Sequence, residues 1–419
     1  MKVEQRSERE LIADCVHCGF CLPACPTYVS WGVETDSPRG RIDLMKGIDE
    51  GSLALDPTVV EHFDACLGCM ACVTACPSGV RYDLLIEATR AKVEARAVRS
   101  PHDRLLRSLL FALLPYQKRL RLLALPLVLY ANSGLRMLVR RTGLHRLLPP
   151  VLASLERLAP PLRADDLSLV LAPFTPARGT KRGTVALVTG CVQRVFFPNV
   201  NAATVRVLAA EGYDVVVPQG QGCCGALSLH VGRASEASTF ALRLVASFGE
   251  LDAVDAVLVN AAGCGSTLKQ YAELLDDSKA AAFAMKVRDV TEFLAEVGTV
   301  APRRPLPLRL AYHDACHLAH AQRVRDQPRE LLRGIPGIEL LEIPNGDQCC
   351  GSAGVYNLIE PQSAAEIGAR KADNVLAVGA DVLASANPGC TLQIGAILEE
   401  RGRPLLAAHP IEILDAALL

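Results

Sequence analysis

Short apolar runs alternate with longer helical patterns in the C-terminal half of the chain. Three such runs, VALVTG, YDVVVP and AVLVNAAG, lie within residues 184–263, and three more, RLAYHDA, IELLEIP and DVLASANPG, lie within 309–389. Continuous apolar runs that are separated by helices are typical of parallel strands covered on both faces. The pattern therefore predicts an α/β fold, in which ligands bind beyond the carboxyl ends of the strands.

The two halves of this region repeat the same spacing of cysteines. A lone cysteine is followed by a Cys-Cys-Gly sequence and then by a Gly-Cys pair, and the two copies are offset by 125 or 126 residues. This agreement predicts a duplicated unit with copies over 184–300 and 301–419. Each site follows a predicted strand, so the sites of a unit should converge at one sheet edge. The candidate metal-binding thiols are Cys191, Cys223, Cys224 and Cys264 in the first copy, and Cys316, Cys349, Cys350 and Cys390 in the second.

The middle of the chain, residues 96–183, has no cysteine and is rich in leucine and arginine. Between Arg96 and Arg163 it holds 13 lysine or arginine residues and two acidic residues, which is a local net charge of +11. Its prolines predict a series of broken helices, followed by a linker over 171–183. Basic, leucine-rich helices of this kind either lie on an anionic membrane surface or pack beneath the repeated units or against a partner subunit.

Charge and hydropathy exclude several other classes of protein. The whole chain has a net charge of −1, which gives no pull toward nucleic acid. Its longest apolar stretch in the middle region, LLALPLVLYA, has 10 residues, too few to span a bilayer. The charged N-terminus shows no signal peptide, so we expect a cytoplasmic location. Neither paired carboxylates nor a Ser–His–Asp order stands out, and we expect no catalytic residue in this chain.

Two near-identical runs of four cysteines mark residues 1–95. CVHCGFCLPACP covers 15–26 and CLGCMACVTACP covers 66–77. This spacing, with its closing proline, is the bacterial pattern for [4Fe–4S] clusters, which require soft thiolate ligands. Structural zinc sites use two separated cysteine pairs, and disulfides are rare in cytosolic proteins, so both alternatives are disfavoured. The doubled run predicts a helical, ferredoxin-like domain with two clusters that form an electron relay.

In such pairs of runs the fourth cysteine ligates the cluster of the other run. This rule assigns Cys15, Cys18, Cys21 and Cys76 to the first cluster, and Cys66, Cys69, Cys72 and Cys25 to the second. The crossed assignment ties the two runs together and closes the segment between them. The complete chain is therefore expected to combine α+β and α/β architecture: a ferredoxin-like domain, a helical middle segment and a duplicated α/β domain.

Two further motifs leave alternatives open. In ETDSPRGRI (34–42), Arg39 and Arg41 either lower the repulsion around reduced clusters or dock a partner, or they belong to a solvated turn with a helix starting after Ser37. In YHDACHLAH (312–320), the polar residues beside Cys316 either bind a ligand and handle protons or are hydrogen-bonded structural groups. Those polar residues are His313, Asp314 and His317.

The doubled ferredoxin runs, ETDSPRGRI and the two Cys-Cys-Gly units together resemble the iron–sulfur subunit of bacterial glycolate oxidase (glycolate dehydrogenase). The units are also similar to subunits of anaerobic glycerol-3-phosphate dehydrogenase, lactate-utilisation complexes and heterodisulfide reductase. The resemblance implies a partner subunit that holds FAD and oxidises glycolate to glyoxylate, and a relay of electrons toward the respiratory chain. If the basic middle segment lies on a membrane, the chain takes a peripheral position on the cytoplasmic face of the inner membrane, near a quinone. The cysteine spacing itself carries no information on the substrate.

The chain departs from the heterodisulfide reductase relatives at the end of each unit. Those relatives end each unit in C-x2-C, whereas Ala261 and Asn387 stand at the first of these positions here. With four thiols per unit, a five-cysteine, non-cubane cluster is disfavoured. A four-thiol cluster, a relict set of buried cysteines and a catalytic site for disulfide reduction remain as alternatives.

Overall fold

The ferredoxin-like domain is helical, and prolines set where its helices begin. The computed structural model describes residues 6–160 and 162–419; residues 1–5 and Pro161, one of the predicted helix breakers, lie outside the described residues. Pro38 occupies the first turn of its helix, and Ser37 Oγ accepts a hydrogen bond from the Gly40 N–H at 3.0 Å, as the predicted helix start requires. The helices are α1 Glu8–Ala13, α2 Pro26–Trp31, α3 Pro38–Asp49, α4 Pro57–Asp64, α5 Ala71–Ala75 and α6 Tyr82–Arg96.

The middle segment is helical, as predicted, but one of its prolines does not break a helix. Pro126 lies inside α8, which continues because only one backbone hydrogen bond is lost there and packing on one face holds the helix. The breaks come at Pro115 and around Pro149. The helices are α7 Pro101–Leu113, α8 Gln117–Asn132, α9 Leu135–Arg141, α10 Pro150–Arg157 and α11 Ala164–Ser168.

Across 6–160 and 162–419, no single helix is long and apolar enough to cross a membrane. The pair α8 and α9 satisfies the length and composition only when taken together, and it is bent by 67°.

The first repeat contains a mostly parallel sheet with helices on both faces, as the apolar runs predicted. Among the described residues its strands have the order β1-β3-β2-β4-β5, and only β1 is antiparallel to its neighbour. The strands are β1 Phe174–Thr175, β2 Gly183–Val188, β3 Tyr213–Val216, β4 Ala256–Val259 and β5 Val287–Asp289. The helices are α12 Val192–Phe196, α13 Pro198–Ala210, α14 Ala226–Leu229, α15 Ala234–Ser247, α16 Ala262–Lys269, α17 Tyr271–Leu274, α18 Ser278–Lys286 and α19 Val290–Val297.

The second repeat forms a parallel sheet of the same design. In the described part of the chain the strand order is β7-β6-β8-β9. The strands are β6 Leu308–His313, β7 Ile338–Glu342, β8 Val382–Ser385 and β9 Leu406–Ala408. A π-helical turn, His317–Ala321, follows β6, and the α-helices are α20 Asp326–Arg333, α21 Tyr356–Ile359, α22 Pro361–Ala377, α23 Pro388–Glu400 and α24 Pro410–Ala416.

One buried core joins the two repeats. Leu208 and Phe293 of the first repeat share it with Tyr312, Leu332 and Leu414 of the second. Helix α13 packs against α24, and α19 packs against α20. A continuous apolar core of this kind fixes the relative position of the two sheets.

The carboxyl ends of strands β4 and β8 lie close together. The Ala262 N–H donates to the Ala386 carbonyl at 3.1 Å, and the Gly263 N–H donates to Asn387 Oδ1 at 3.3 Å. These bonds join the segments that follow β4 and β8. The cysteines that follow the strands of both repeats are therefore brought to the same region of the molecule.

Candidate metal centres

The cysteine loops of the N-terminal domain share an unusual backbone. In the first run His17 and Gly19 have positive φ values of 53° and 85°, and in the second Gly68 and Met70 have values of 62° and 61°. These are the same two positions in each run, between the first and third cysteines. Left-handed residues at those positions make a tight turn, and the cost of placing His17 and Met70 there shows that the turn is structurally required.

The first predicted set of cysteines lies near the surface. Cys15, Cys18, Cys21 and Cys76 line one small pocket, together with Cys72. Cys18 is exposed, and its neighbours Val16 and Phe20 are 67% and 65% exposed. A group that is held by these thiols would therefore lie within reach of another protein.

The second predicted set is buried. Cys25, Cys66, Cys69 and Cys72 are all buried in the interior. Burial raises the pKa of Cys69 and Cys72 well above the ordinary thiol value, and the nearby Cys25 and Cys66 thiols raise it further. Cys25 of the first run therefore lies near the cysteines of the second run.

Two arginines compensate for the burial of Cys66. Burial alone would raise the pKa of this thiol, but the guanidinium groups of Arg41 and Arg90 outweigh it and lower the pKa. Arg41 is 1% exposed and donates to the carbonyls of Asp36 and His62, both at 2.6 Å. The solvated-turn interpretation is therefore wrong for Arg41, which instead places a positive charge beside the buried thiols. Arg39 is partly exposed and pairs with Glu34 at 2.6 Å.

All eight cysteines of the repeats line a single cavity of about 490 Å³. The cavity lies where the carboxyl ends of the two sheets meet, and leucines from α7, α8 and α10 form part of its wall. Cys66 of the ferredoxin-like domain also lines it. The expected convergence within each unit therefore extends across both units, which share one thiol-lined space.

Within each repeat the thiols are mutual neighbours. The Cys191 and Cys223 sulfurs are 3.5 Å apart, and the Gly225 N–H donates to Cys223 Sγ at 3.4 Å. In the second repeat, the interaction with Cys349 and burial raise the pKa of Cys316 well above its ordinary value. Such close, buried thiols suit a soft metal or an iron–sulfur cluster. Binding converts the thiols to thiolates, and the positive charge of the metal offsets their negative charge.

The buried thiols of the N-terminal domain lie against the second repeat. Cys69 and Cys316 belong to one buried cluster with Leu67 and Tyr356. The Tyr356 hydroxyl donates to the Ala65 carbonyl at 3.2 Å. The second cysteine run and the thiol cavity are therefore in direct contact.

The polar neighbours of Cys316 have distinct surroundings. Burial lowers the pKa of His317 to about 3, and its neutral ring donates from Nε2 to the Gly68 carbonyl at 3.1 Å. Asp314 accepts two hydrogen bonds of 2.7 Å from Arg329. His313 is fully buried, and one of its ring nitrogens lies within 4.8 Å of the sulfurs of Cys350 and Cys390.

Comparison with family models divides the chain in the same way as its cysteines. Residues 11–80 match the 4Fe-4S dicluster domain, 102–159 match the linker region of the glycolate oxidase iron-sulfur subunit, and 185–269 and 310–395 each match the cysteine-rich CCG domain. The chain is 39% identical over 408 residues to the probable glycolate oxidase iron-sulfur subunit of Bacillus subtilis, which covers 95% of this chain and 91% of that protein. The chain belongs to the glycolate oxidase iron-sulfur subunit family.

The chain is also similar to two other proteins. The glycolate oxidase iron-sulfur subunit of Escherichia coli is 33% identical over 431 residues, or 99% of this chain and 97% of that protein. Lactate utilization protein A of a Geobacillus species is 29% identical over 238 residues, or 55% of this chain and 99% of that protein. Members of the glycolate oxidase and lactate utilization family are iron–sulfur proteins of electron transfer, and this is the class of the present chain.

Sequence reasoning missed residues whose role depends on distant contacts. Arg90 lies in α6 and bonds to the carbonyls of Cys66 and His230, the latter at 2.8 Å. Lys371 is buried in α22, where its ammonium bonds to the Asn345 and Gly346 carbonyls at 2.9 and 3.0 Å. Neither position belongs to a recognisable motif, so only the folded chain shows that both charges lie near thiols.

Proposed function

We propose that this chain is the electron-transfer subunit of a flavin-dependent 2-hydroxy acid dehydrogenase that oxidises glycolate to glyoxylate. A partner subunit would hold FAD and the substrate, and this chain would carry electrons toward the respiratory chain. The observation that carries the proposal is that Cys69 and Cys316 share one buried cluster, which joins the ferredoxin-like domain to the thiol cavity. A cysteine set near the surface, a buried set and the cavity thus follow one another through the protein.

The two four-cysteine sets fit [4Fe–4S] clusters, because both loops turn in the same left-handed way and each set holds four thiols. When bound, such clusters supply one-electron carriers. The first is assigned to Cys15, Cys18, Cys21 and Cys76, and the second to Cys66, Cys69, Cys72 and Cys25. Around the second set, Arg41 and Arg90 offset the negative charge of the thiolates. A further cluster is proposed for the cysteines of the repeats.

The loop around Cys18 is the proposed docking face for the FAD subunit. Val16 and Phe20 are exposed apolar residues beside the outermost cysteine of the chain's first set. Electron transfer needs close approach, so a partner that binds at this loop would bring its flavin near the first cysteine set. Apolar side chains at the centre of an interface contribute most of its affinity.

Replacing Phe20 by aspartate is expected to weaken binding of the FAD subunit by at least about tenfold, because one buried aromatic contact is worth about 2 kcal/mol. The iron content of the purified chain should stay unchanged. Affinity would be measured by calorimetry with the purified partner, with Leu406→Asp as control, since Leu406 is 69% exposed on the second repeat. Equal affinity of the Phe20 variant and the native chain would place the docking face elsewhere.

The substrate proposal is tested with the assembled complex. The chain and its proposed FAD-holding dehydrogenase partner would be purified together without oxygen and mixed with glycolate, lactate or glycerol 3-phosphate. We expect bound FAD on the partner and reduction of the iron–sulfur clusters by glycolate faster than by the other two. Faster reduction by lactate or glycerol 3-phosphate would reassign the substrate, and thiol–disulfide turnover by the isolated chain would favour the disulfide reductase alternative.

The middle segment is the proposed contact with the membrane and its quinone. Leu123 and Leu155 line the thiol cavity and are also 41% and 43% exposed, so the apolar wall of the cavity continues onto the surface. Other leucines of the segment are buried against the repeats, as Leu110 is beside Leu358. The segment therefore packs on the repeats with one side and leaves an apolar, basic side for the cytoplasmic face of the inner membrane.

The assembled complex is expected to sediment with anionic lipid vesicles at low salt and to be released as ionic strength rises. Replacing the exposed Lys118 and Arg141 by glutamine should weaken this binding by about tenfold or more, because each basic residue near the surface contributes on the order of 1 kcal/mol. Lys279→Gln on the first repeat is the matched control. If the complex stays in the supernatant at low salt, the membrane contact is wrong.

A further inference from the structure

The two repeats differ in the residues that surround their thiols. Strand β6 of the second repeat corresponds to β2 of the first. The last residue of β2, Val188, pairs with Val259 of β4, and the last residue of β6, His313, pairs in the same way with Ser385 of β8. The last residue of the central strand is therefore valine in the first repeat and histidine in the second. Both side chains are buried, at 1% and 0% exposure, so the difference lies in chemistry and not in access to solvent.

The imidazole of His313 is buried without a well-formed hydrogen bond. The Gly346 backbone interacts with the ring, but neither ring nitrogen has a partner at good hydrogen-bond geometry in the described part of the chain. A buried polar group without a partner costs about 1–3 kcal/mol, so such a group calls for an explanation. By contrast, His409 caps α24 by accepting a hydrogen bond from the Ile411 N–H at 3.0 Å.

Two buried thiols lie close to this imidazole. One His313 nitrogen and the sulfurs of Cys350 and Cys390 all lie within 4.8 Å of one another. Asn387 Nδ2 donates to Cys390 Sγ at 3.4 Å and holds that side chain in place. One imidazole and two thiols, all buried and converging, form a donor set for zinc or an iron–sulfur centre.

The charge of the surroundings also differs between the repeats. Lys371 of α22 is 2% exposed; burial lowers the pKa of its ammonium, and the nearby thiols Cys350, Cys349 and Cys390 oppose that shift. The corresponding helix of the first repeat, α15, carries Val245 and Ala246 at the matching offsets of 126 and 125 residues. A buried ammonium offsets the negative charge that thiolate ligands bring, and the first repeat has no such group at that position.

We propose that His313 is a metal ligand in the second repeat and forms, with Cys350 and Cys390, a thiolate–imidazole centre that has no counterpart at the matching strand position of the first repeat, where Val188 stands. The thiol cavity would then hold an asymmetric pair of sites. The second site has an imidazole on its central strand and a buried cation, whereas His230 of the first repeat lines the cavity from the segment after the Cys-Cys-Gly sequence. The electron-transfer role of this centre rests on the proposed function, whereas the identity of the ligand does not.

The test uses the full chain in its complex, purified without oxygen after labelling with 15N-histidine. Pulsed EPR of the reduced protein should show a histidine nitrogen coupled to an iron centre, or X-ray absorption should show a nitrogen neighbour at zinc. His313→Val, which copies the first repeat, should remove about four irons or about one zinc per chain and this nitrogen signal. His313→Cys should keep the metal, because a thiolate replaces the imidazole, but should lose the nitrogen signal.

Buried histidine substitutions can also disturb folding, so His409→Asn serves as the control and should keep both the metal and the signal. The absence of any histidine nitrogen at a bound metal in the labelled native protein would overturn the assignment without use of a variant. Full metal content with native spectra in His313→Val would overturn it as well. Reduction of the N-terminal clusters by glycolate is measured in the same samples, so failure of this ligand assignment and failure of the relay are seen separately.

Discussion

Replacing Cys69 by serine is expected to remove the buried cluster and to abolish electron transfer through the chain. Serine is a poor ligand for iron in place of a thiolate, and Cys69 shares a buried cluster with Cys316 of the second repeat. The variant should lose about four irons per chain. Oxidation of glycolate with an artificial acceptor that reacts at the flavin should continue, because the substrate site lies on the partner. Iron analysis and EPR, together with the two rates, check this result.

A matched control lies two residues away. Ala71→Ser introduces the same hydroxyl into the same buried turn without removing a thiol, and it should keep the iron and the rate of electron transfer. If Cys69→Ser also keeps its full iron content and rate, the ligand assignment of the second run is wrong. If Ala71→Ser loses as much iron as Cys69→Ser, the loss reflects folding of the turn and not ligation.

Replacing Arg41 by glutamine is expected to destabilise the N-terminal domain by about 3 kcal/mol or more, because it breaks a buried charged network. The carbonyls of Asp36 and His62 would lose their donor, and the Cys66 thiolate would lose a compensating charge. The reduction potential of the buried cluster should also fall, since reduction adds negative charge at that point. Denaturant unfolding and a redox titration followed by EPR measure the two effects.

The neighbouring arginine provides the control for this prediction. Arg39 pairs with Glu34, whose side chain is 50% exposed, so Arg39→Gln should change the free energy of unfolding by less than about 1 kcal/mol. Arg41→Lys keeps the charge but loses the planar fork, so it should restore the potential more than the stability. Similar stability losses at the two arginines would contradict the difference in burial on which the prediction depends.

The strands and the repeat were predictable because their signals are local. A parallel strand that is buried on both faces must be apolar along its length, so VALVTG and RLAYHDA show where the central strands lie. The offset of 125 or 126 residues then pairs the cysteines of the two units. The same reasoning fails at Pro126, where tertiary packing maintains a helix that the local rule would end.

The surroundings of the thiols were not predictable, because they depend on contacts between distant segments. Arg90 lies near Cys66 although it belongs to α6 of the same domain. Lys371 of α22 lies near Cys350 although it is 21 residues further along the chain. Neither residue has a neighbour in sequence that signals its role. His313 belongs to the motif YHDACHLAH. Its position near Cys350 and Cys390, however, depends on the pairing of β6 with β8 in the folded chain.

The most direct test of the relay is an anaerobic titration of the purified complex with glycolate, followed by EPR and by iron and sulfide analysis. The account predicts at least about eight irons per chain and glycolate-dependent signals from two interacting [4Fe–4S] clusters. It also predicts that these signals are lost in part in Cys69→Ser. Stoichiometric zinc without iron in the N-terminal domain, or clusters that glycolate cannot reduce through the flavin partner, would contradict it.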